Sequence, residues 1–142
     1  MSGKSSHEKG VETESIVLSR LKGLDAMVSI PWGRPRYDMI VDNGETIYRA
    51  QVKTARESEI EGSITFSCHS GHINSKGNKK IPYTKEEIDI FLVYSPKTDK
   101  VYWINVEETG SSKMSLRVGE TSKYTPDSSV NFHEDYLLAD SF

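Results

Sequence analysis

The sequence has few of the features that mark secreted, disulfide-bonded or membrane-spanning proteins. It contains a single cysteine, Cys68, so no disulfide can form within the chain, and such sparse use of cysteine is typical of a reducing compartment. The most apolar run, residues 88–94, includes Asp89 and has the length of a strand; a membrane-spanning helix needs about 20 apolar residues. The first ten residues are polar and lack an apolar signal core. We therefore expect a soluble, cytoplasmic protein without membrane contacts.

Positive charge is also scarce, because 18 Lys and Arg residues stand against 21 Asp and Glu residues for a formal net charge of −3. Any nucleic-acid binding must then come from a local basic surface. The sequence also lacks internal repeats, a glycine-rich phosphate loop and a Ser/His/Asp order. With 142 residues, 35% of them hydrophobic, the chain can form one small core. We predict a flexible arm over residues 1–9 and a single domain over residues 10–142.

The most informative stretch, residues 37–56, predicts a β-hairpin. Two β-rich runs, residues 37–41 and 46–53, flank the turn sequence Asp42-Asn43-Gly44-Glu45. Asn-Gly between such runs is the strongest short-range hairpin signal, because both residues tolerate positive φ angles. The hairpin therefore places two short polar segments side by side.

Three polar side chains are expected to meet at one end of this hairpin. Side chains alternate along a strand, so Gln51 and Lys53 point to one face and Val52 to the other. The antiparallel return of the chain brings the first face back towards Asp38. An acid, an amide oxygen and an ammonium group should therefore converge.

This arrangement resembles the PD-(D/E)xK nuclease superfamily, in which an acid on one strand is followed on the next strand by an acid or Gln, any residue, and Lys. Here the acid is Asp38 and the second half is Gln51-Val52-Lys53. Gln in place of the second acid is similar to the branch that includes some homing endonucleases and archaeal endonuclease-like proteins. Pro35 precedes the aspartate but is not adjacent to it. The resemblance spans about residues 10–106 and implies an α/β, restriction-endonuclease-like core, with an N-terminal helix followed by a mixed sheet of four to five strands flanked by helices.

A helix is predicted before the hairpin, because Val11, Glu14, Leu18 and Leu21 recur at helical spacing. A carboxylate on this apolar stripe has two interpretations. Glu14 either lies in the first turn, where the helix dipole stabilises it, or leans from the helix towards the hairpin. The superfamily has an acid on its first helix in a G-x-x-x-E context, which this sequence matches, and we favour the functional interpretation.

The resemblance implies a Mg²⁺-dependent deoxyribonuclease, an endonuclease that hydrolyses phosphodiester bonds in DNA. Its implied catalytic residues are Glu14, Asp38, Gln51 and Lys53. A hard divalent cation, Mg²⁺ or Mn²⁺, takes oxygen ligands, for which the candidates are Asp38, Glu14, the side chain of Gln51 and the backbone carbonyl of Val52. Lys53 would orient water or neutralise developing charge. Because Gln is neutral, we expect weaker metal affinity than with a second acid.

Seven further residues are candidates for nucleic-acid contact. Trp32 could stack on a base or cap the edge of the core, and cationic side chains on either side of the hairpin could bind phosphates. The candidates are Trp32, Arg34, Arg36, Arg56, Lys76, Lys79 and Lys80. The lysines lie in a Gly/Asn/Lys-rich segment, residues 71–80, that we expect to be mobile.

Three alternatives remain open from the sequence. The same fold could be a catalytically inactive nucleic-acid-binding or assembly module. Cys68, His69 and His72 invite a zinc site, although a polar loop is the simpler interpretation because no second ligand cluster accompanies them. The substrate is also open between duplex DNA, branched DNA and RNA, with a preference for branched or junction structures, since no sequence-reading motif is visible. One active site cuts one strand, so cleavage of a duplex favours a homodimer or higher homo-oligomer.

Overall fold

The first helix begins earlier than the hydrophobic pattern predicts. The computed structural model describes residues 5–74, 77–119 and 130–142, and helix α1 spans Ser6–Gly23. Ser5 is its N-cap, and its hydroxyl accepts a hydrogen bond from the Glu8 N–H at 3.2 Å. The arm predicted over residues 1–9 is therefore too long, because residues 6–9 are helical.

The buried face of α1 is also rotated from the predicted one. Thr13, Val17 and Leu21 are buried, whereas Val11 is 50% exposed and Glu14 is half-buried. The hydroxyl of Thr13 is 2.7 Å from that of Thr54 in the sheet. This contact between two polar side chains orients the helix, and the hydrophobic pattern alone gave no sign of it.

Ten strands follow the helix within the described residues. They are β1 (Met27–Ser29), β2 (Met39–Asp42), β3 (Ile47–Thr54), β4 (Arg56–Glu57), β5 (Ser63–Ser67), β6 (His69–Asn74), β7 (Gly77–Pro82), β8 (Ile90–Ser95), β9 (Lys100–Asn105) and β10 (Lys113–Arg117). Five of them form a sheet in the order β1-β2-β3-β8-β9. The β3–β8 pair is parallel and the other pairs are antiparallel. The predicted N-terminal helix and mixed sheet of four to five strands are confirmed.

The two faces of this sheet are covered differently. On one face, α1 packs Val17 and Leu21 against Ala50, Val52 and Leu92. On the other face, a small sheet of order β10-β5-β4 packs against β8 and β9. The small sheet takes the place of a second flanking helix.

The segment predicted as a polar loop and mobile stretch is a hairpin. Strands β6 and β7 pair from His69↔Pro82 to Asn74↔Gly77. Backbone hydrogen bonds stabilise this segment, which has few apolar side chains to bury, so its composition gave no strand signal.

From Phe132, Tyr136 and Leu137 the sequence predicts a short helix over residues 132–138, but the C-terminal part is less regular. It forms a 3₁₀ helix at His133–Tyr136 and a short helix α2 at Leu138–Ser141, and another 3₁₀ helix follows β9 at Val106–Glu108. Leu138 packs into the core on the α1 side. We also predict a loop from the sequence of residues 121–129, which lie outside the described residues. Within the part of the chain that the structure describes, no helix is long and apolar enough to cross a membrane.

Candidate active site

The hairpin turn fixes the register of the two strands that carry the site. Strands β2 and β3 pair from Met39↔Ala50 to Asp42↔Ile47. In the loop, Gly44 has a φ of +94°, and the Asn43 side chain accepts hydrogen bonds from the N–H groups of Glu45 and Thr46 at 3.0 and 2.9 Å. This register places Asp38, one residue before β2, across from Gln51.

Strand β3 continues past the residue where β2 begins, and this leaves an open edge beside Asp38. The Asp38 N–H donates to the Ala50 carbonyl at 2.8 Å. Beyond that bond, the Val52 N–H has no strand partner and donates to Asp38 Oδ2 at 2.9 Å. The Val52 carbonyl lies on the same edge, because the backbone groups of one strand residue point to the same side. Among the described residues, Asp38 Oδ1 accepts no hydrogen bond.

Lys53 lies on the same face and is half-buried. Its Nζ donates to the His69 carbonyl at 3.1 Å and lies 5.1 Å from the centre of the Tyr83 ring. Burial lowers the pKa of Lys53, and the negative charge of Asp38 partly opposes this. Conversely, burial raises the pKa of Asp38, while the Val52 N–H and the Lys53 charge lower it. The two groups therefore share one partly desolvated site.

Gln51 faces the same region through a weaker contact. Its amide nitrogen is 3.4 Å from the Val52 carbonyl oxygen, which is long for a hydrogen bond. The amide is thus loosely held and free to present its oxygen to a ligand. Its role as a ligand stays a prediction.

Glu14 lies on α1, the helix that packs on the sheet. It is half-buried, and its neighbour Thr13 contacts Thr54, the last residue of β3. Its part in catalysis also stays a prediction.

Arg36 is held by the protein on several sides. Its guanidinium donates to the Pro82 and Ile81 carbonyls at 2.6 and 2.8 Å, to the Ser70 hydroxyl at 2.9 Å and to Glu87 at 2.8 Å. These four hydrogen bonds occupy guanidinium N–H groups that a phosphate contact would need. Arg36 therefore links the loop before β2 to both strands of the β6–β7 hairpin by hydrogen bonds.

The other predicted contact residues are more accessible. Trp32 is fully exposed, and Arg34, Arg56 and Lys80 are exposed. Lys76 lies outside the described residues, and so does the side chain of Lys79. The exposed set lies on the loop before β2, after β3 and on β7.

The donor set fits a hard divalent cation. Within residues 5–74, 77–119 and 130–142, no group of three or more His, Cys, Asp or Glu side chains is placed to hold a metal ion. Asp38, however, offers a carboxylate oxygen that no donor in the described part of the chain uses, next to a backbone carbonyl and an amide. An all-oxygen set of this kind is the chemistry that Mg²⁺ and Mn²⁺ prefer.

The residues considered for zinc are arranged differently. Cys68 is buried in the core between the large sheet and the small β10-β5-β4 sheet. Burial raises the pKa of its thiol, and this disfavours the thiolate form, which is the form that binds zinc. His69 contributes its carbonyl to Lys53, and the side chain of His72 lies outside the described residues.

Sequence reasoning missed the contacts of Tyr83 and His69 with Lys53 and the hydrogen bonds of Arg36 to the β6–β7 hairpin. Tyr83 and His69 are far from Lys53 along the chain and reach it only through the β6–β7 hairpin. No local pattern could have placed them there, since that hairpin was itself not predicted.

Three comparisons bear on this geometry. The family model of the PD-(D/E)XK endonucleases matches residues 4–139. The solved structure of a bacterial homing endonuclease, I-Ssp6803I, has a TM-score of 0.77 and 22% sequence identity, and the match covers 96% of this chain and 90% of that one. This likeness confirms the predicted restriction-endonuclease-like core. No curated protein sequence is significantly similar to this chain.

Proposed function

The chain belongs to the PD-(D/E)XK endonuclease family, and from this premise we propose that it is a divalent-metal-dependent endonuclease that hydrolyses phosphodiester bonds in DNA. The observation that supports the proposal is the meeting of Asp38 and Lys53 at the open end of the β2–β3 hairpin. There Asp38 keeps one unused oxygen, and both groups are half-buried.

Each residue has a distinct part in this proposal. Asp38, the Val52 carbonyl, the Gln51 amide and Glu14 would hold Mg²⁺ or Mn²⁺, which when bound supplies an acidic water and relief of phosphate charge. Lys53 places a positive charge beside the scissile phosphate, in a partly desolvated position where one charge stabilises the transition state more than in water. The Val52 N–H fixes Asp38 so that its free oxygen faces the substrate.

The exposed residues around the site would hold the DNA. Trp32 projects fully into solvent at the loop before β2 and can stack on a base. Arg34, Arg56 and Lys80 can contact phosphates, as can Lys76 and Lys79. For Arg36 we favour a bracing role, developed below, over the phosphate contact expected from the sequence.

We further propose that the substrate is a branched or junction-like DNA and that the enzyme acts as a homodimer or higher homo-oligomer. Each chain carries one site, so cutting both strands requires two copies. We place this activity in the cytoplasm, where reducing conditions suit the free thiol of Cys68.

The test is cleavage of end-labelled single-stranded, duplex and four-way-junction DNA, and of RNA, with magnesium, manganese or EDTA. Asp38→Asn is the matched control, because Asn retains an acceptor for the Val52 N–H and lacks the charge. We expect metal-dependent cleavage by the native chain only. Cleavage that survives both EDTA and Asp38→Asn would contradict the proposal, and a preference for plain duplex would contradict the branched substrate.

The second candidate function is a nucleic-acid-binding or assembly module without turnover. It is favoured by the neutral Gln51, which leaves fewer negative charges for a metal than a second acid would. Tight DNA binding without cleavage of any substrate in that panel, in either metal, would support it.

A further inference from the structure

Tyr83 lies against two cations at the candidate active site. The guanidinium carbon of Arg36 is 4.0 Å from the centre of its ring, and the Lys53 ammonium is 5.1 Å from the same centre. Both distances are within the range of cation–π attraction. The ring is half-buried, which strengthens such contacts by excluding water from them.

The position of this ring is set by its neighbours. It follows β7 directly, and its edge-on contact with Phe91, at 5.6 Å between ring centres, ties it to the core. Arg36 covers the ring while it donates to the Ile81 and Pro82 carbonyls, just before Tyr83 in the chain. The ring is therefore held between a braced arginine and the core.

The ammonium of Lys53 depends on the same hairpin for its direction. It donates to the carbonyl of His69, at the start of β6, and His69 pairs with Pro82 across the hairpin. The base of the hairpin thus supplies both of these contacts of Lys53, one through a carbonyl and one through the Tyr83 ring. A lysine has four rotatable side-chain bonds, so without such contacts its charge would be spread over many positions.

We propose that Tyr83 and Arg36 are positioning residues of the nuclease: Arg36 holds the Tyr83 ring, and the ring fixes the Lys53 ammonium beside Asp38. This inference rests on the proposed function, since it concerns the position of the Lys53 ammonium that would act on the scissile phosphate. A charge that is already in position stabilises the transition state most, because nothing has to rearrange during the reaction.

Three variants of Tyr83 distinguish the effect of the aromatic ring from the effect of side-chain volume. Tyr83→Phe and Tyr83→Trp keep an aromatic face for the lysine, whereas Tyr83→Leu keeps an apolar side chain without that face. In single-turnover cleavage with saturating enzyme, we expect the aromatic variants to stay within about threefold of the native rate and Tyr83→Leu to fall by about tenfold, the scale of a partly desolvated cation–π contact. The DNA dissociation constant should not change.

A double-mutant cycle with Lys53→Ala distinguishes positioning from a role in folding. If Tyr83 acts through Lys53, Tyr83→Leu should have no further effect on the rate once the lysine is absent. An equal loss in both backgrounds would overturn the proposal, as would a Tyr83→Phe variant as slow as Tyr83→Leu. If Tyr83→Leu does not fold, Arg36→Lys tests the same point, because it keeps the charge and loses the forked hydrogen bonds; its rate loss should also vanish without Lys53.

The native chain is the control for the premise. Absence of cleavage by the native chain on every substrate overturns the proposed function and the positioning role with it. Cleavage by the native chain with additive effects of Tyr83 and Lys53 overturns the positioning role alone.

Discussion

Replacing Asp38 by Asn should abolish cleavage and yet leave the metal-free protein as stable as the native chain, or more stable. The carboxylate is half-buried, and burial raises its pKa, which means that folding disfavours its ionised form. Asn removes the charge while its amide oxygen can still accept the hydrogen bond from the Val52 N–H, now made at 2.9 Å. Activity and stability should therefore move in different directions, as expected at a site kept for function.

The comparison of Asp38→Asn with Asp38→Ala gives the magnitude of the stability that the hydrogen bond from the Val52 N–H contributes. Alanine removes the charge as well, but it leaves the Val52 N–H without its acceptor. An unpaired buried donor costs about 1–3 kcal/mol, and we take about 1–2 kcal/mol here because the site is only half-buried. For a chain of this size each kcal/mol shifts the melting temperature by roughly 3 °C. The Ala variant should then melt about 3–6 °C below the Asn variant.

The pH dependence has a defined sign. Because the folded-state pKa of Asp38 is raised above its ordinary value of 3.8, the contribution of this group to stability is complete below that value and is lost as the pH rises through the folded-state pKa. Any advantage of Asp38→Asn over the native chain should therefore be largest near pH 7 and should vanish near pH 4.

The assay is thermal unfolding of the native chain and both variants in EDTA at pH 7 and pH 4, beside a cleavage assay and a gel shift in magnesium. EDTA is needed because metal bound to the native chain alone would stabilise it. DNA binding should persist in both variants. An Asn variant that melts several degrees below the native chain in EDTA, or that still cuts DNA, would refute the reasoning.

The remaining predictions concern three neighbouring residues. Lys53→Ala should lower the single-turnover rate by about a hundredfold or more with little change in melting temperature, and a near-native rate would remove it from the catalytic set. Gln51→Glu should keep cleavage and bind Mn²⁺ more tightly in a calorimetric titration, since it adds a charge to the oxygen ligands; weaker binding would argue against a ligand role. Trp32→Ala should leave the melting curve unchanged, because the side chain is fully exposed, while a gel shift at fixed salt shows affinity lowered by about tenfold. Unchanged affinity would exclude stacking.

The parts of the site that could be predicted from the sequence depend on local rules. Alternation along β3 and a strong turn signal at Asn43-Gly44 were enough to bring Asp38, Gln51 and Lys53 to one face, because both strands lie within one short stretch of chain. Even there, the Val52 N–H bond to Asp38 could not be foreseen, since it depends on where β2 begins.

The parts that could not be predicted depend on contacts between distant segments. The rotation of α1 follows a hydroxyl contact between Thr13 and Thr54, which a hydrophobic pattern does not record. The β6–β7 hairpin is polar in composition, so its sequence gave no strand signal. Because this hairpin was not predicted, the approach of Tyr83 to Lys53 and the hydrogen bonds of Arg36 to the hairpin were not predicted either. The phosphate contact expected of Arg36 stays a prediction, beside the hydrogen bonds that its guanidinium makes within the protein.

The neutral Gln51 gives the site a particular charge balance. One carboxylate, Asp38, stands beside one ammonium, Lys53, so this pair carries no net charge before a metal binds. A second acid at Gln51 would place two like charges in a partly desolvated space and raise the pKa of one of them. On the proposed function Glu14 adds a second carboxylate, but two carboxylates do not neutralise a divalent cation and the Lys53 ammonium, so an excess of positive charge remains. The phosphate of the DNA carries the opposite charge, so DNA and metal should each strengthen the binding of the other, and the substrate itself completes the site.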